Sequence, residues 1–139
     1  MGILASNIQD LYNPLIPPDI SGLVPNITNV APSALNNTTL VPGDVVQLDG
    51  TTFTMTLDEP ISGFSGTKEN PIWILGNGSI YDGKKLEIIN CEWVYFQDIR
   101  SQDTTDEGML IQECQDCIFK DFTIDNTGKG GCRVDGSAT

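Results

Sequence analysis

The chain contains no histidine, few basic residues and no long hydrophobic run, and each absence narrows its possible functions. Histidine is the commonest general base and metal ligand, so its absence removes frequent routes to acid–base and metal chemistry. Seven basic residues stand against nineteen acidic ones, and none precedes Lys68. With a formal net charge of −12, the chain lacks the cationic track that a polyanion requires. We therefore expect no nucleic-acid partner.

The apolar residues do not form a targeting signal or a membrane span. Residues 1–15 lack a basic region, and polar residues interrupt their apolar ones, so they do not resemble a signal peptide. No stretch approaches the roughly 20 apolar residues that cross a bilayer. The sequence predicts a protein kept in a cytosol or released by a route such as lysis. Its four cysteines are then expected to be free thiols.

Proline divides the chain into two regions. Six of the eight prolines lie in residues 1–43, and proline at that density excludes helix interiors and central strands. We predict an extended, proline-rich arm over residues 1–43 and a folded domain over residues 44–139. Two interpretations of the arm remain open. It is a flexible leader, or it docks on another subunit or on a larger particle.

The most informative pattern in the folded region is a repeat with a period of about 23 residues. Lys85–Cys91 aligns without gaps with Gly108–Cys114, and that segment aligns with Gly131–Ser137. The hydrophobic positions agree better than the residue identities do, and they alternate as in β-strands. A period of roughly 20–50 residues indicates a solenoid whose coils bury their apolar faces on one another. A leucine-rich repeat of similar length would carry a leucine and asparagine signature that is absent here.

The repeat predicts an all-β fold, a right-handed parallel β-helix with about 23 residues per coil, of which this chain contains the N-terminal coils. A β-sandwich is the less favoured alternative. An upstream copy, one residue shorter, places Ile72 and Ile74 against Val94 and Phe96. The inward positions of the copies predict the core, which consists of Leu86, Ile88, Cys91, Val94, Phe96, Ile99, Met109, Ile111, Cys114, Cys117, Phe119, Phe122 and Val134.

Three short motifs add a resemblance to a known family. Gly43-Asp44 precedes a hydrophobic strand, Asn70-Pro71-Ile72 opens another, and Asp82-Gly83 closes a third. In these motifs the chain resembles the first coils of pectate-lyase-like proteins, closest to the alginate lyase and chondroitinase B type, over residues 43–137. The resemblance implies a parallel β-helix and a polysaccharide ligand for a longer parent protein. It implies no activity, because the same fold also builds phage tailspikes and adhesins.

No catalytic residue is predicted in this segment. Lyases that the chain resembles use a Lys or Arg near the middle of the solenoid, in coils that would lie beyond residue 139. Lys120 and Arg133 have no carboxylate motif around them that would suggest such a role. The glycosidases of the family use aspartates with a histidine, and this chain has no histidine.

Aspartates provide only a weak candidate for a metal site. Asp98 and Asp121 are predicted to stack one coil apart, at the strand spacing of about 4.8 Å. Stacked carboxylates repel unless a cation or a donor lies between them, and Asp103 and Asp106 follow in the next loop. A Ca²⁺ site is conceivable, but solvated turn carboxylates are favoured. We therefore predict no cofactor.

Cysteines and aromatic residues give two further weak signals. Cys114-Gln-Asp-Cys117 is a lone C-x-x-C motif, for which buried core thiols are favoured over zinc ligands. Trp93 precedes a predicted strand and is a candidate for stacking on a sugar ring. Trp73 and Tyr95 could contribute to the same face, although a packing role is the simpler interpretation.

These observations lead to one functional hypothesis and two alternatives. The proline-rich arm, the acidity and the β-helix start favour a virion protein, the non-catalytic structural and attachment part of a phage or viral tailspike or fibre. Its arm would dock on virion or tail proteins, and glycan recognition would lie downstream. The resemblance to tailspikes implies a homotrimer. The alternatives are an N-terminal fragment of a secreted or periplasmic lyase for alginate or another uronate polymer, and a small virion decoration protein complete at this length.

Overall fold

The computed structural model describes residues 22–135, and every structural statement below concerns that range. It contains thirteen short strands and one 3₁₀ helix. In chain order these are β1 Ile27–Val30, the 3₁₀ helix Pro32–Asn37, β2 Val45–Leu48, β3 Thr52–Thr54, β4 Glu59–Ser62, β5 Ile72–Leu75, β6 Ile80–Asp82, β7 Leu86–Ile89, β8 Val94–Gln97, β9 Arg100–Thr104, β10 Met109–Gln112, β11 Ile118–Lys120, β12 Thr123–Thr127 and β13 Cys132–Asp135.

The strands form three parallel sheets that the chain visits in turn. Sheet 1 has the order β1-β2-β5-β8-β11, sheet 2 the order β12-β9-β6-β3, and sheet 3 the order β13-β10-β7-β4. From β2 onward, each turn of the chain contributes one strand to each sheet and then returns to sheet 1, one layer further along, whereas the turn before it contributes β1 and the 3₁₀ helix. The result is a parallel β-solenoid of about five turns, which confirms the predicted fold class.

The register of the strands confirms the repeat found in the sequence. Met109 pairs with Leu86 in the preceding coil and with Cys132 in the following one, which reproduces the spacing of roughly 23 residues. Val94 pairs with Ile72, as the shorter upstream copy predicts. Equivalent apolar side chains therefore stack directly on one another, and each coil completes the core of its neighbour.

Alternation along each strand separates the core from the surface. In β5, Ile72 and Ile74 are fully buried, whereas Trp73 and Leu75 are half-buried on the outer side. Ten of the residues predicted for the core have buried side chains, and they are Leu86, Ile88, Cys91, Val94, Phe96, Ile99, Met109, Ile111, Cys114 and Cys117.

The remaining three predicted core residues lie near the end of the described solenoid. Phe119 and Phe122 are partly buried and pack against the core. Val134 is 59% exposed, although its register partner Ile111 is buried. Val134 lies on the last described strand, and no described coil covers it, so its position in the repeat does not bury it.

Residues 22–43 differ from the predicted arm. β1 pairs in parallel with β2, and the 3₁₀ helix packs on the first coil with Leu35 fully buried. The Tyr81 hydroxyl donates to the carbonyl oxygen of Pro32 at 3.3 Å, which ties the helix to the second coil. These residues cap the apolar end of the solenoid, which explains why short apolar patches lie between the prolines. The rest of the predicted arm, residues 1–21, lies outside the described range.

A buried aspartate holds this cap in place. Asp44, 9% exposed, accepts hydrogen bonds from the Val41 backbone N–H at 2.8 Å and from Asn26 Nδ2 at 3.0 Å. Asn26 Oδ1 in turn accepts from the Val45 backbone N–H. Because a buried carboxylate is costly unless it is hydrogen-bonded, this exchange fixes the chain entering β1 against β2. It also gives a structural role to the Gly43-Asp44 motif.

The turns between sheets use residues that tolerate a left-handed backbone. Asn77, Asn90, Asp98 and Asp121 have φ between 52° and 59°, a region in which short polar side chains are favoured over branched ones. The last two occupy equivalent turns of successive coils. Tight turns of this kind keep the coils short and bring the three sheets around one core.

Candidate functional site

The outer side of sheet 1 carries a continuous column of apolar side chains. Val45 pairs with Trp73, Trp73 with Tyr95, and Tyr95 with Ile118, so the four residues occupy one outward position in four successive coils. Their neighbours along each strand point into the core. Strand pairing therefore places together side chains that lie in different coils and far apart in the sequence.

Two aromatic rings form the centre of this column. The rings of Trp73 and Tyr95 meet edge to face, with centroids 5.0 Å apart and an interplanar angle of 90°. Both side chains are half-buried, whereas Val45 above them is only 7% exposed. Burial, followed by the negative charge of Asp116, raises the pKa of the Tyr95 phenol. Tyr95 is therefore a neutral phenol at physiological pH.

The second outward column of sheet 1 is polar but carries no acidic residue. It consists of Gln47, Leu75, Gln97 and Lys120, which follow the apolar column in register. We call the eight residues of the two columns the aromatic face: Val45, Gln47, Trp73, Leu75, Tyr95, Gln97, Ile118 and Lys120. On a chain with a net charge of −12, this face presents rings, amides and one cation.

The other two sheets differ in charge. Sheet 2 places Asp82 and Asp125 among its strand residues, and sheet 3 places Glu87 and Asp135. Among the three sheets of the described solenoid, sheet 1, which carries the aromatic face, is the one whose strands contain no acidic residue. Such a surface favours a ligand that is uncharged.

Trp93, the predicted sugar-stacking residue, lies outside this face. It occupies the turn before β8 with φ 51°, and its backbone N–H donates to the Gln115 carbonyl oxygen at 3.1 Å. Its own carbonyl oxygen accepts from the Ile72 N–H at 3.0 Å. The side chain is half-buried. The structure brings Trp73 and Tyr95 together and leaves Trp93 at the adjacent corner.

The four aspartates of the candidate calcium site lie in two separate places. Asp98 accepts a hydrogen bond from the Gly78 N–H at 2.7 Å, and Asp121 accepts one from Gln97 Nε2 at 3.3 Å. Donors from the protein thus reach both carboxylates. Asp103 lies on strand β9 of sheet 2 and not in the expected loop, and it accepts a hydrogen bond from Asn126 Nδ2 at 2.6 Å.

Asp106 belongs to a network of ion pairs at the corner between sheets 2 and 3. Its carboxylate lies 3.8 Å from Lys85 Nζ and 3.5 Å from Lys129 Nζ. Hydrogen bonds from Glu107, assisted by the two lysines, lower the pKa of Asp106 to about 2. Over residues 22–135, no group of three or more Cys, Asp or Glu side chains is arranged to hold a metal ion.

A shallow hollow of about 480 Å³ lies beside this corner. Its lining is polar and consists of Asp103, Thr104, Thr105, Asn126, Thr127 and Gly128. The hollow is open to solvent and contains no aromatic ring. It therefore lacks the enclosure and the aromatic lining that are typical of small-molecule sites.

Comparisons of the chain with protein-family models, with curated proteins and with solved structures give no match. The fold places the chain among parallel β-solenoids, in agreement with a β-helix superfamily as the coarse class. Within the described residues, no helix is long and apolar enough to cross a membrane.

Proposed function

We propose that this chain is a non-catalytic structural and attachment segment of a tailspike or fibre on a phage or viral particle, and that its aromatic face contacts a neutral glycan. The observation that carries the proposal is the Trp73–Tyr95 pair, held on a sheet whose strand positions carry no acidic residue. The solenoid supplies a stiff rod, and residues 22–43 close one of its ends.

The chemistry of the face suits a sugar ring. Aromatic side chains offer large, rigid and partly polar surfaces, and the apolar side of a pyranose packs on such rings. Gln47 adds an amide donor and an acceptor beside the rings, where sugar hydroxyls would lie. The edge-to-face contact fixes both rings before binding, so little conformational entropy is lost when a ligand arrives.

Charge distinguishes this proposal from the lyase alternative. A uronate polymer is a polyanion, and a chain with a net charge of −12 repels it over the Debye length of about 8 Å at physiological salt. Arg133 Nε lies 3.4 Å from a carboxylate oxygen of Glu107 and 3.4 Å from one of Asp135. Lys120, at the edge of the aromatic face, has no second cation in its column. The face therefore lacks the row of cations that a uronate polymer requires.

Replacing Trp73 tests the glycan contact. In affinity electrophoresis through gels containing dextran, mannan, galactomannan or alginate, we expect at least one neutral polymer to retard the unaltered chain. Trp73→Ala should weaken that retardation about tenfold, since a stacked ring contributes on the order of 1.4 kcal/mol. Trp93→Ala is the matched control and should bind as the unaltered chain does.

The proposed contact fails under three outcomes. Retardation by none of the three neutral polymers contradicts it, and so does equal retardation of the Trp73 and Trp93 variants. Stronger retardation by alginate than by the neutral polymers favours the lyase alternative. Because the chain has only these two tryptophans, quenching of tryptophan fluorescence in Trp93→Phe by the polymer gives an independent readout of Trp73.

The mass of the purified chain in solution tests the tailspike part of the proposal. We expect light scattering to give three times the mass of one chain, and circular dichroism of the same sample to show strands. A well-folded monomer contradicts the homotrimer and favours the alternative that the chain is a fragment of a polysaccharide lyase. Trp73→Ala should remain trimeric, since the proposal assigns the aromatic face to a glycan and not to a contact between subunits. If this variant dissociates, the aromatic face is a contact between subunits.

A further inference from the structure

Three thiols lie at one corner of the solenoid, inside the core. Cys91 follows β7, Cys114 follows β10, and Cys117 precedes β11, so all three occupy the passage from sheet 3 to sheet 1. Their exposed fractions are 1%, 0% and 6%, and none of them is in a disulfide. Cys132, in contrast, is exposed on β13.

Two of these cysteines are equivalent positions of successive coils. Ile89 pairs with Gln112 at the ends of β7 and β10, and Cys91 and Cys114 stand two residues beyond them. The Gln115 N–H donates to the Cys91 carbonyl oxygen at 2.9 Å, which continues the alignment of the two coils past the strands. Neighbouring strands lie about 4.8 Å apart, within the range of about 4.4–6.8 Å between the Cα atoms of a disulfide.

The thiols of Cys91 and Cys117 both interact with that of Cys114. Hydrogen bonds from Cys117 and Cys91 to Cys114 lower the pKa of the Cys114 thiol, and the same contacts together with burial raise the pKa values of Cys91 and Cys117. Within the cluster, these contacts favour the thiolate form of Cys114. The thiolate is the nucleophile in thiol–disulfide exchange.

We propose that Cys91 and Cys114 form a disulfide that staples two successive coils when the protein meets a low-molecular-weight disulfide. This inference is independent of the proposed glycan contact. The burial of Cys91, Cys114 and Cys117 by itself would indicate only core packing. The proposed disulfide makes two of these cysteines a site of covalent modification.

The reaction proceeds by two exchanges. The Cys114 thiolate attacks one sulfur of the small disulfide, a mixed disulfide forms, and one thiolate of the reagent leaves. The Cys91 thiolate, after loss of its proton to solvent, attacks the Cys114 sulfur of the mixed disulfide and releases the second reagent thiolate. Two protein thiols are oxidised to one disulfide, and one reagent disulfide is reduced to two thiols.

Local opening of the solenoid gives the reagent access. The strand residues of β11 and β12 are only partly buried or exposed. Elements with few buried contacts open at a lower free energy than the whole domain. Opening of β11 uncovers the corner that contains Cys114 and Cys117.

Peptide mapping after oxidation tests the proposal on the full chain. The reduced protein, in a Cys132→Ser background that prevents linkage between chains, is incubated with oxidised glutathione and then digested with trypsin without reduction. Cleavage at Lys85, Arg100 and Lys120 places Cys91 in peptide 86–100 and both other cysteines in peptide 101–120. A Cys91–Cys114 bond joins the two peptides, whereas a Cys114–Cys117 bond stays inside the second.

We expect the joined peptides, together with the loss of two of the three remaining thiols in titration of the denatured protein. Cys117→Ser should still give the joined peptides, and Cys91→Ser should not. The proposal is overturned if all three thiols remain titratable, if the link lies inside peptide 101–120, or if Cys117→Ser abolishes the joined peptides while its circular dichroism stays that of the unaltered chain.

Discussion

Phe96→Ala is expected to lower the free energy of unfolding by about 3–5 kcal/mol, among the largest effects of a single truncation in this chain. The ring is 1% exposed and stacks in parallel on Phe119, with centroids 5.3 Å apart and an interplanar angle of 6°. Its register partner on the other side, Ile74, is fully buried. Removing the ring leaves a cavity between three coils, and strands fixed by ladders on both sides cannot close it.

Urea denaturation followed by circular dichroism measures this effect. Leu57→Ala is the control, since Leu57 is 77% exposed and its truncation should change the free energy of unfolding by no more than about 0.5 kcal/mol. A loss below about 1 kcal/mol for Phe96→Ala would contradict the stacked core. So would similar losses for the two variants.

Gly76→Ala is expected to destabilise the fold by about 3 kcal/mol or more, although it adds a single methyl group. A Cβ atom at this position would lie 1.7 Å from the carbonyl oxygen of Asp98 and 2.6 Å from its carbonyl carbon. Both are backbone atoms of the next coil, so no side chain can move aside. The Gly76 N–H donates to the Gln97 carbonyl oxygen at 2.8 Å, and the methyl group would force these two coils apart.

Gly22→Ala provides the matched control, because a Cβ atom there meets no atom within 4 Å. We expect its melting temperature to equal that of the unaltered chain within about 2 °C, while that of Gly76→Ala falls by several degrees. A Gly76→Ala protein that melts with the control would show that the two coils are not in close contact at this turn.

The repeat made the fold predictable from the sequence. Every inward position recurs at a fixed interval, and parallel strands in register place equivalent residues on top of one another, so the period predicts both the pairing and most of the core. The prediction worked best where the coils have equal length. The proline pattern did not indicate that β1 pairs with β2, because prolines that exclude a central strand are compatible with a cap and an edge strand.

The candidate site was predictable only in part. Trp73, Trp93 and Tyr95 stood out as aromatic residues, and the repeat places Trp73 and Tyr95 at equivalent positions, as the strand pairing confirms. The repeat does not give the edge-to-face contact of the two rings or the left-handed backbone that holds Trp93 at a corner, because both depend on the local geometry of the coils.

The sequence by itself determined the period, the strand alternation and the strong negative charge, because these depend on residue types at fixed intervals along one chain. Only the tertiary structure decided which side chains meet across coils. The edge-to-face pair of Trp73 and Tyr95 and the contact of Cys114 with Cys91 and Cys117 both depend on which residues lie in the neighbouring coil. The register between coils sets that neighbour, because it fixes which positions stack on one another.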